Sequence, residues 1–191
     1  LVVCVVPVID VTGKFNISND LSGFTQENTI LNPWDEFAIE AALQMKDSFG
    51  TEVIALSVGD LSSEIALRSA LAMGCDMAYR IDCNSHGFSR NQISKILASA
   101  INKLGNIDIA FFGKQSLDFE YGITAVQTGR ILKWPVLTRV SNIRIIEESE
   151  IEVTRSIPKG RQKVVAKLST VVTINKDFAE PRFPSFMGKR E

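Results

Sequence analysis

Ile107-Asp-Ile-Ala-Phe-Phe-Gly-Lys-Gln-Ser-Leu-Asp-Phe-Glu-Tyr-Gly-Ile-Thr-Ala-Val-Gln-Thr128 is the stretch on which the fold turns. Its first six residues are almost all apolar and end in Phe111 and Phe112, which suits a strand covered on both faces in a parallel sheet. Gly113 ends that strand. Lys114, Gln115, Ser116, Asp118 and Glu120 read as loop, and Ile123, Val126, Ile131 and Leu132 then recur at helical spacing. Such a unit sets the carboxyl end of a strand against a helix amino terminus, where free N–H groups and the helix dipole favour an anion such as phosphate. In open α/β sheets this is the edge where ligands bind. Most strand-to-helix turns nevertheless bind nothing. This one is not a P-loop, since Gln115 follows Gly113 and Lys114 where Ser or Thr would stand, and Asp108 replaces the first glycine. The sequence has no Gly-x-Gly-x-x-Gly. Lys114 is the candidate phosphate cation.

Outward from this unit, strand and helix alternate. Val2 to Val8 reads as a buried first strand, and residues 10–29 form a long polar connection with turn residues Gly13, Asn19, Asp20 and Gly23. Connections of that length tend to be functional. Asn32-Pro33 opens a helix, with Asn as cap, Pro at the first position, Asp35 and Glu36 suited to the dipole, and an apolar stripe from Phe37 to Met45. Val53 to Val58 is the second strand, ended by Gly59. Ser62 or Ser63 caps a helix from Glu64 through Met73 that closes at Gly74. Met77 to Ile81 is the third strand, and Ser89 caps a helix carrying Ile93, Ile96, Leu97, Ala100, Ile101 and Leu104. Four strands separated by helices predict a doubly wound parallel α/β sheet with right-handed crossovers.

After Pro135 the periodicity changes. Val140 to Ile146, Ile151 to Ile157, Lys163 to Leu168 and Thr170 to Ile174 are extended, with no further helix. Residues 136–175 are therefore expected to form an antiparallel β extension of a single domain covering 1–191. Glu147, Glu148 and Glu150 read as a solvated hairpin turn. Residues 176–191 carry Phe178, Phe183 and Phe186 without periodicity. Burying a Phe is worth about 1.5–3 kcal/mol and a loop rarely exposes several without a partner. These rings either tuck back on the domain, the reading composition favours, or meet a partner, and the loop is a docking candidate either way.

Composition narrows the function classes. A net charge of −1 gives no electrostatic reason to expect nucleic acid or an anionic membrane, and no apolar run approaches the length of a transmembrane helix. The three cysteines, Cys4, Cys75 and Cys83, form no Cys-x-x-Cys pair, so neither a disulfide framework nor a zinc site is indicated. A reducing compartment is the expectation. His86 is the only histidine and lies among Asn84, Ser85 and Gly87, a setting more typical of a solvated turn than of a catalytic relay. The amino terminus lacks both an initiator Met and a signal peptide, which suggests a piece of a longer protein.

Six segments fall in the order and spacing of a known family: Asn32-Pro33-Trp34-Asp35-Glu36-Phe37-Ala38, Ser57-Val58-Gly59, the run from Arg68 to Asp76, Gly113-Lys114-Gln115, the run from Lys167 to Thr173, and Glu180-Pro181-Arg182-Phe183. Together they resemble the beta subunit of electron transfer flavoprotein across essentially the whole chain. The resemblance implies an adenine nucleotide alpha hydrolase-like fold. It also implies pairing with an alpha subunit, FAD near that interface, and electron carriage from dehydrogenases to an acceptor with no substrate chemistry of the chain's own. It implies AMP, or a second FAD, in a pocket of this chain, placed in a prokaryotic cytoplasm or a mitochondrial matrix. By position, the pocket contacts are Cys4, Asn32, Pro33, Trp34, Asp35, Val58, Gly113, Lys114, Gln115, Ser116, Leu117, Asp118, Tyr121, Gly122, Ile123 and Thr124. Asn32 and Asp35 are then expected to read polar edges of the nucleotide. Arg182, Phe183 and Phe186 are the expected partner contacts, with Phe186 as the apolar anchor for a dehydrogenase where the family usually has Leu. The sequence departs from the family at Val5-Val6, which stands for Val-Lys, and in the bulky Phe119, Tyr121 and Ile123. With these departures, and with the family's carboxyl-terminal tail missing after Glu191, the expectation is a divergent member.

One other functional class fits the same α/β pattern, a stand-alone adenine-nucleotide-binding regulator of the universal-stress-protein type. An ATP-pyrophosphatase does not, because Pro7-Val8-Ile9-Asp10 lacks the Ser-Gly-Gly-x-Asp-Ser loop.

Overall fold

Apolar runs too uniform to leave a face for water collect at the centre of one sheet. The computed structural model describes residues 1–10, 16–17, 24–25, 29–83, 88–147 and 149–185, so the readings on His86, Glu148 and Phe186 lie outside the described residues. In chain order the strands and helices are β1 (Val2–Cys4), β2 (Pro7–Ile9), β3 (Asn16–Ile17), β4 (Phe24–Thr25), β5 (Thr29–Leu31), α1 (Pro33–Phe49), β6 (Ile54–Gly59), α2 (Glu64–Met73), β7 (Met77–Asp82), α3 (Arg90–Leu104), β8 (Ile109–Gly113), α4 (Ile123–Leu132), β9 (Val136–Glu147), β10 (Glu150–Ile157), β11 (Gly160–Lys167) and β12 (Thr170–Ile174). The main sheet runs β11-β10-β9-β12-β8-β1-β6-β7. From β9 to β7 every pairing is parallel, while β9, β10 and β11 pair antiparallel.

The period of two along each strand sorts side chains to two faces. Val3 and Phe111 pack with Ala38, Ile39, Ala42, Leu67 and Ala70 of α1 and α2. Val2, Cys4, Ala110 and Phe112 pack with Leu97, Ala98, Ile101 and Ala125 of α3 and α4. The sheet is thus doubly wound, with the antiparallel strands added at one edge. Among the described residues no helix is long and apolar enough to cross a membrane.

Three local expectations change. The first strand stops at Cys4. Pro7, with no N–H to give to a central ladder, begins β2, which pairs antiparallel with β5 instead. Thr170 to Ile174 is no part of the antiparallel extension: β12 lies parallel between β8 and β9 and is buried at every position, as a strand covered on both faces in a parallel sheet should be. At the start of α2, Ser63 holds the N-cap position, as one of the two expected serines, but makes no side-chain cap hydrogen bond. Asp60 accepts from the Ser62 N–H at 2.9 Å and starts a 3₁₀ turn, Leu61–Ser63, that runs into the helix. In α3 the cap is as expected, since Ser89 and Gln92 form a reciprocal capping box. Within the long connection, the described residues form the short pair β3 and β4.

Helix α4 reaches the sheet through Gly129. A Cβ there would overlap the Val136 side chain and come within 3.2–3.3 Å of Val171. Overpacking of this kind costs about 1–3 kcal/mol. The helix propensity gained by replacing Gly with Ala is about 1 kcal/mol. Gly129→Ala is therefore expected to destabilise by up to about 2 kcal/mol in urea unfolding; a stabilised variant would show that α4 sits further from the sheet than described.

Candidate functional site

From β1 the chain builds outward through β6 to β7 on one side, and β8 lies on the other, so the winding reverses between β1 and β8. That is the topological switch point, where strand ends diverge and leave a crevice. A cleft of about 640 Å³, counting its open mouth, lies there. Cys4, Val5 and Val6 enter it from the end of β1, Val58 from β6, Asn32 and Asp35 from the start of α1, and Arg90, Ile93 and Leu97 from α3. Gly113, Gln115, Ser116, Tyr121, Gly122, Thr124 and Ala125 line it from the loop after β8 and the start of α4.

Asp35 is the most constrained group of the site. It is buried, and its Oδ2 accepts from the Val6 N–H at 2.9 Å. Burial pushes its carboxyl up to about 7, against hydrogen bonds from the Val6 N–H, Asn32 and the Gly113 N–H that pull the other way. One carboxylate thus ties together the ends of β1 and β8. Gly113 must lack a side chain for this, because a Cβ would run into Asp35 Oδ1 and lie 2.7–2.8 Å from the Trp34 backbone. Asn32 does not cap α1 with its side chain. Its Nδ2 donates to the Gln115 carbonyl at 2.9 Å and its Oδ1 accepts from the Leu117 N–H at 3.2 Å, bracing the loop after β8. Both side chains expected to read a ligand are committed to the chain's own backbone.

The loop closes on itself through the Glu120 N–H, which donates to the Ser116 carbonyl at 3.0 Å. Gly122 lets it close, since a Cβ there would sit 2.7 Å from the Lys114 carbonyl oxygen. Gly122 also leaves the first turn of α4 without a side-chain cap. Ser116 lines the cleft, and its Oγ is buried with no hydrogen-bond partner among the described residues. Lys114 stands apart: its ammonium lies 4.8 Å from the Trp34 ring centroid, a cation–π contact, and it does not line the cleft. The cation that does line it is Arg90, whose guanidinium lies 4.9 Å from the Phe119 ring centroid and 5.7 Å from that of Tyr121. Those two rings stack on each other. The Cys4 thiol is pushed up by burial and then by the Asp35 charge, which keeps it protonated.

Of the residues expected at the site, Pro33, Trp34, Lys114, Leu117, Asp118 and Ile123 do not line the cleft, and the others do. Sequence reasoning missed Val5, Val6, Arg90, Ile93, Leu97, Phe112 and Ala125. Phe112 and Leu97 were read as core only. Arg90 gave no signal as the first residue of an amphipathic helix.

The family model for the electron transfer flavoprotein domain matches residues 24–191. The chain belongs to the electron transfer flavoprotein beta-subunit family. It is 30% identical over 179 residues to the Dictyostelium discoideum electron transfer flavoprotein subunit beta, covering 92% of this chain and 70% of that protein. It is 31% identical over 187 residues to the mouse subunit beta, covering 95% and 72%. Similarity extends to subunit CarD of the caffeyl-CoA reductase-Etf complex of Acetobacterium woodii, 35% identical over 162 residues, covering 84% and 62%. The chain therefore spans between 62% and 72% of the length of these relatives.

In this member the segment after β12 is strapped down. Arg182 donates to Glu40 through Nε at 2.8 Å and Nη2 at 3.2 Å, and to Asp47 at 2.9 Å. The Ser185 N–H donates to the Ala72 carbonyl. The guanidinium expected to meet a partner is engaged within the chain, whereas Phe183 is 93% exposed.

The Asp35 geometry sets a pH dependence. Its folded-state value, about 7, lies above the 3.8 of an unhindered aspartate, so the folded state holds the proton more tightly. The Asp35 contribution to stability is greatest below the lower value, declines as pH rises between the two, and is flat above the higher. Asp35→Asn is expected to remove that decline. Denaturant unfolding of both proteins from pH 4 to 8 measures it, and parallel pH curves would show that Asp35 is ionised throughout.

Proposed function

We propose that this chain is the beta subunit of an electron transfer flavoprotein. In this reading it pairs with an alpha subunit to carry electrons from dehydrogenases to an acceptor. FAD lies at the interface of the two subunits, and the switch-point cleft holds AMP or the adenosine portion of a second FAD. The compartment is the cytoplasm in a prokaryote or the mitochondrial matrix in a eukaryote. Family membership supports the carrier role. The observation that carries the nucleotide is the Ser116 Oγ, a buried hydroxyl left without a partner beside the uncapped first turn of α4. A buried polar atom in that state calls for a partner, and a bound nucleotide would supply one.

The residues present fit such a ligand. Backbone N–H groups at the start of α4, the Ser116 hydroxyl and Arg90 would bind its anionic part, and Ile93, Leu97 and Val58 supply apolar wall. Asp35 and Asn32 act one step behind, holding the strand end and the loop that make the cleft. FAD, when bound at the interface, supplies the electron chemistry, and the chain supplies binding, orientation and exclusion of water. Phe183, with Phe186, would dock the dehydrogenase.

Co-expression with an alpha subunit, mild purification, denaturation and chromatographic identification of released nucleotides test this. One FAD and one AMP per heterodimer, or two FADs, is expected. A chain that copurifies with no alpha subunit and alone retains ATP or AMP would instead be a regulator of the stress-protein type. Within the cleft, Arg90→Ala is expected to weaken nucleotide binding about tenfold, the order lost with one hydrogen bond to a charged group. Lys114→Ala should weaken it less than about threefold, because that side chain does not line the cleft. Calorimetry showing the reverse order would return Lys114 to the site.

A further inference from the structure

Among the described residues β7 pairs only with β6, so one edge of β7 keeps its backbone N–H and C=O groups unpaired. Beside it, α3 is drawn towards α4 and the sheet centre, where Leu97, Ala98 and Ile101 are buried against Val2 and Leu56. Between α3 and β7 this leaves a groove of about 870 Å³, counting its open mouth. Its floor is apolar: Ile81 of β7 with Ile96 and Ala100 of α3. Its rim is basic, because Lys95, Ser99 and Lys103 stand four residues apart along one stripe of the helix. Neither lysine has an ion pair among the described residues, and no carboxylate lines the groove. Arg80, on the β7 side, is already engaged by Glu64, Asp82 and the Gly59 carbonyl. The two lysines are the free cations.

A pair of solvated lysines on a helix is ordinary surface. Here they flank an apolar floor beside an open strand edge, and the three features together describe a seat for a strand with carboxylates on one face. We propose that this groove docks an extended acidic segment of a partner protein, added to the free edge of β7. The spacing sets the motif. Lys95 and Lys103 are about 12 Å apart along the helix axis. Two residues four apart on an extended strand are about 13 Å apart and share a face. A segment with carboxylates at positions i and i+4 and a small apolar residue between them at i+2 meets both lysines and the floor. Strand addition supplies main-chain hydrogen bonds, and the charged positions supply selectivity. This surface is separate from the cleft and from the segment holding Phe183, and it does not depend on the electron-carrier reading.

The probe is a fluorescent heptapeptide with Thr at odd positions and Glu, Val and Glu at even ones, titrated into the full chain at low salt. Its anisotropy is expected to rise, and to rise less as salt is added. In a Lys95→Glu, Lys103→Glu double variant, whose exposed substitutions leave the fold unchanged by circular dichroism, affinity should fall by about tenfold or more. A peptide with Lys in place of Glu should bind that variant instead. Amide exchange over residues 77–82 should slow on binding. The proposal is overturned if the peptide does not bind, if charge reversal leaves binding unchanged, or if exchange in β7 is unaffected. Equal, lysine-dependent binding to phosphatidylserine vesicles that the peptide does not displace would assign the surface to lipid and overturn it as well.

Discussion

The site depends on a carboxylate buried where two strands part. At the switch point nothing in the sheet itself holds β1 and β8 in register beyond their last ladder bonds, because the chain leaves them in opposite directions. Asp35 supplies the missing restraint, accepting from the Val6 N–H after β1 and drawing in the Gly113 N–H at the end of β8. The arrangement works only because α1 presses its first turn directly onto Gly113, at a distance that leaves no room for a Cβ. A larger residue at 113 would displace the carboxylate and the helix together.

The same logic governs the polar side chains around the cleft. Asn32 forgoes capping its own helix and spans to the loop after β8, one donor and one acceptor spent on Gln115 and Leu117. A backbone so braced presents its free groups in fixed positions, which lowers the ordering cost of binding. What is left uncommitted around the cleft is the N–H groups at the start of α4 and the Ser116 hydroxyl, with the Arg90 guanidinium on its wall. Phe119 and Tyr121 hold that guanidinium by stacking it against their faces.

Much of this was legible in the sequence, and the failures have physical causes. Strands and helices up to Leu132 announce themselves by period and by caps, and Asn32-Pro33 marks the start of α1 even though Asn32 then uses its side chain elsewhere. The placement of β12 was not legible, since pairing partners are chosen by the tertiary fold. Its uninterrupted burial was nonetheless present in Thr-Val-Val-Thr-Ile as a clue to a parallel strand. A loop lysine near a helix start invites a phosphate role, and the aromatic face at Trp34 that holds Lys114, eighty residues earlier in the chain, cannot be seen from the loop. Arg90 reaches the cleft for the same reason in reverse, as α3 is folded over the switch point from a distant part of the chain.

Helix α1 joins the cleft to the carboxyl-terminal strap through two carboxylates with opposite fates. At about 100° per residue, Asp35 and Glu40 point about 140° apart around the axis, whereas Glu40 and Asp47, seven residues apart, share a face. Asp35 therefore turns to the strand ends, and Glu40 and Asp47 turn together to Arg182. Burial opposes charge at both buried acids. At Glu40 a full guanidinium answers it with paired hydrogen bonds and holds the acid below its ordinary value. At Asp35 only backbone and amide dipoles answer, and burial prevails. The consequence is a division of labour along one helix. An ion pair, tolerant of solvent at its rim, fixes the segment that presents Phe183. A set of neutral donors to Asp35 fixes the strand ends that form the cleft.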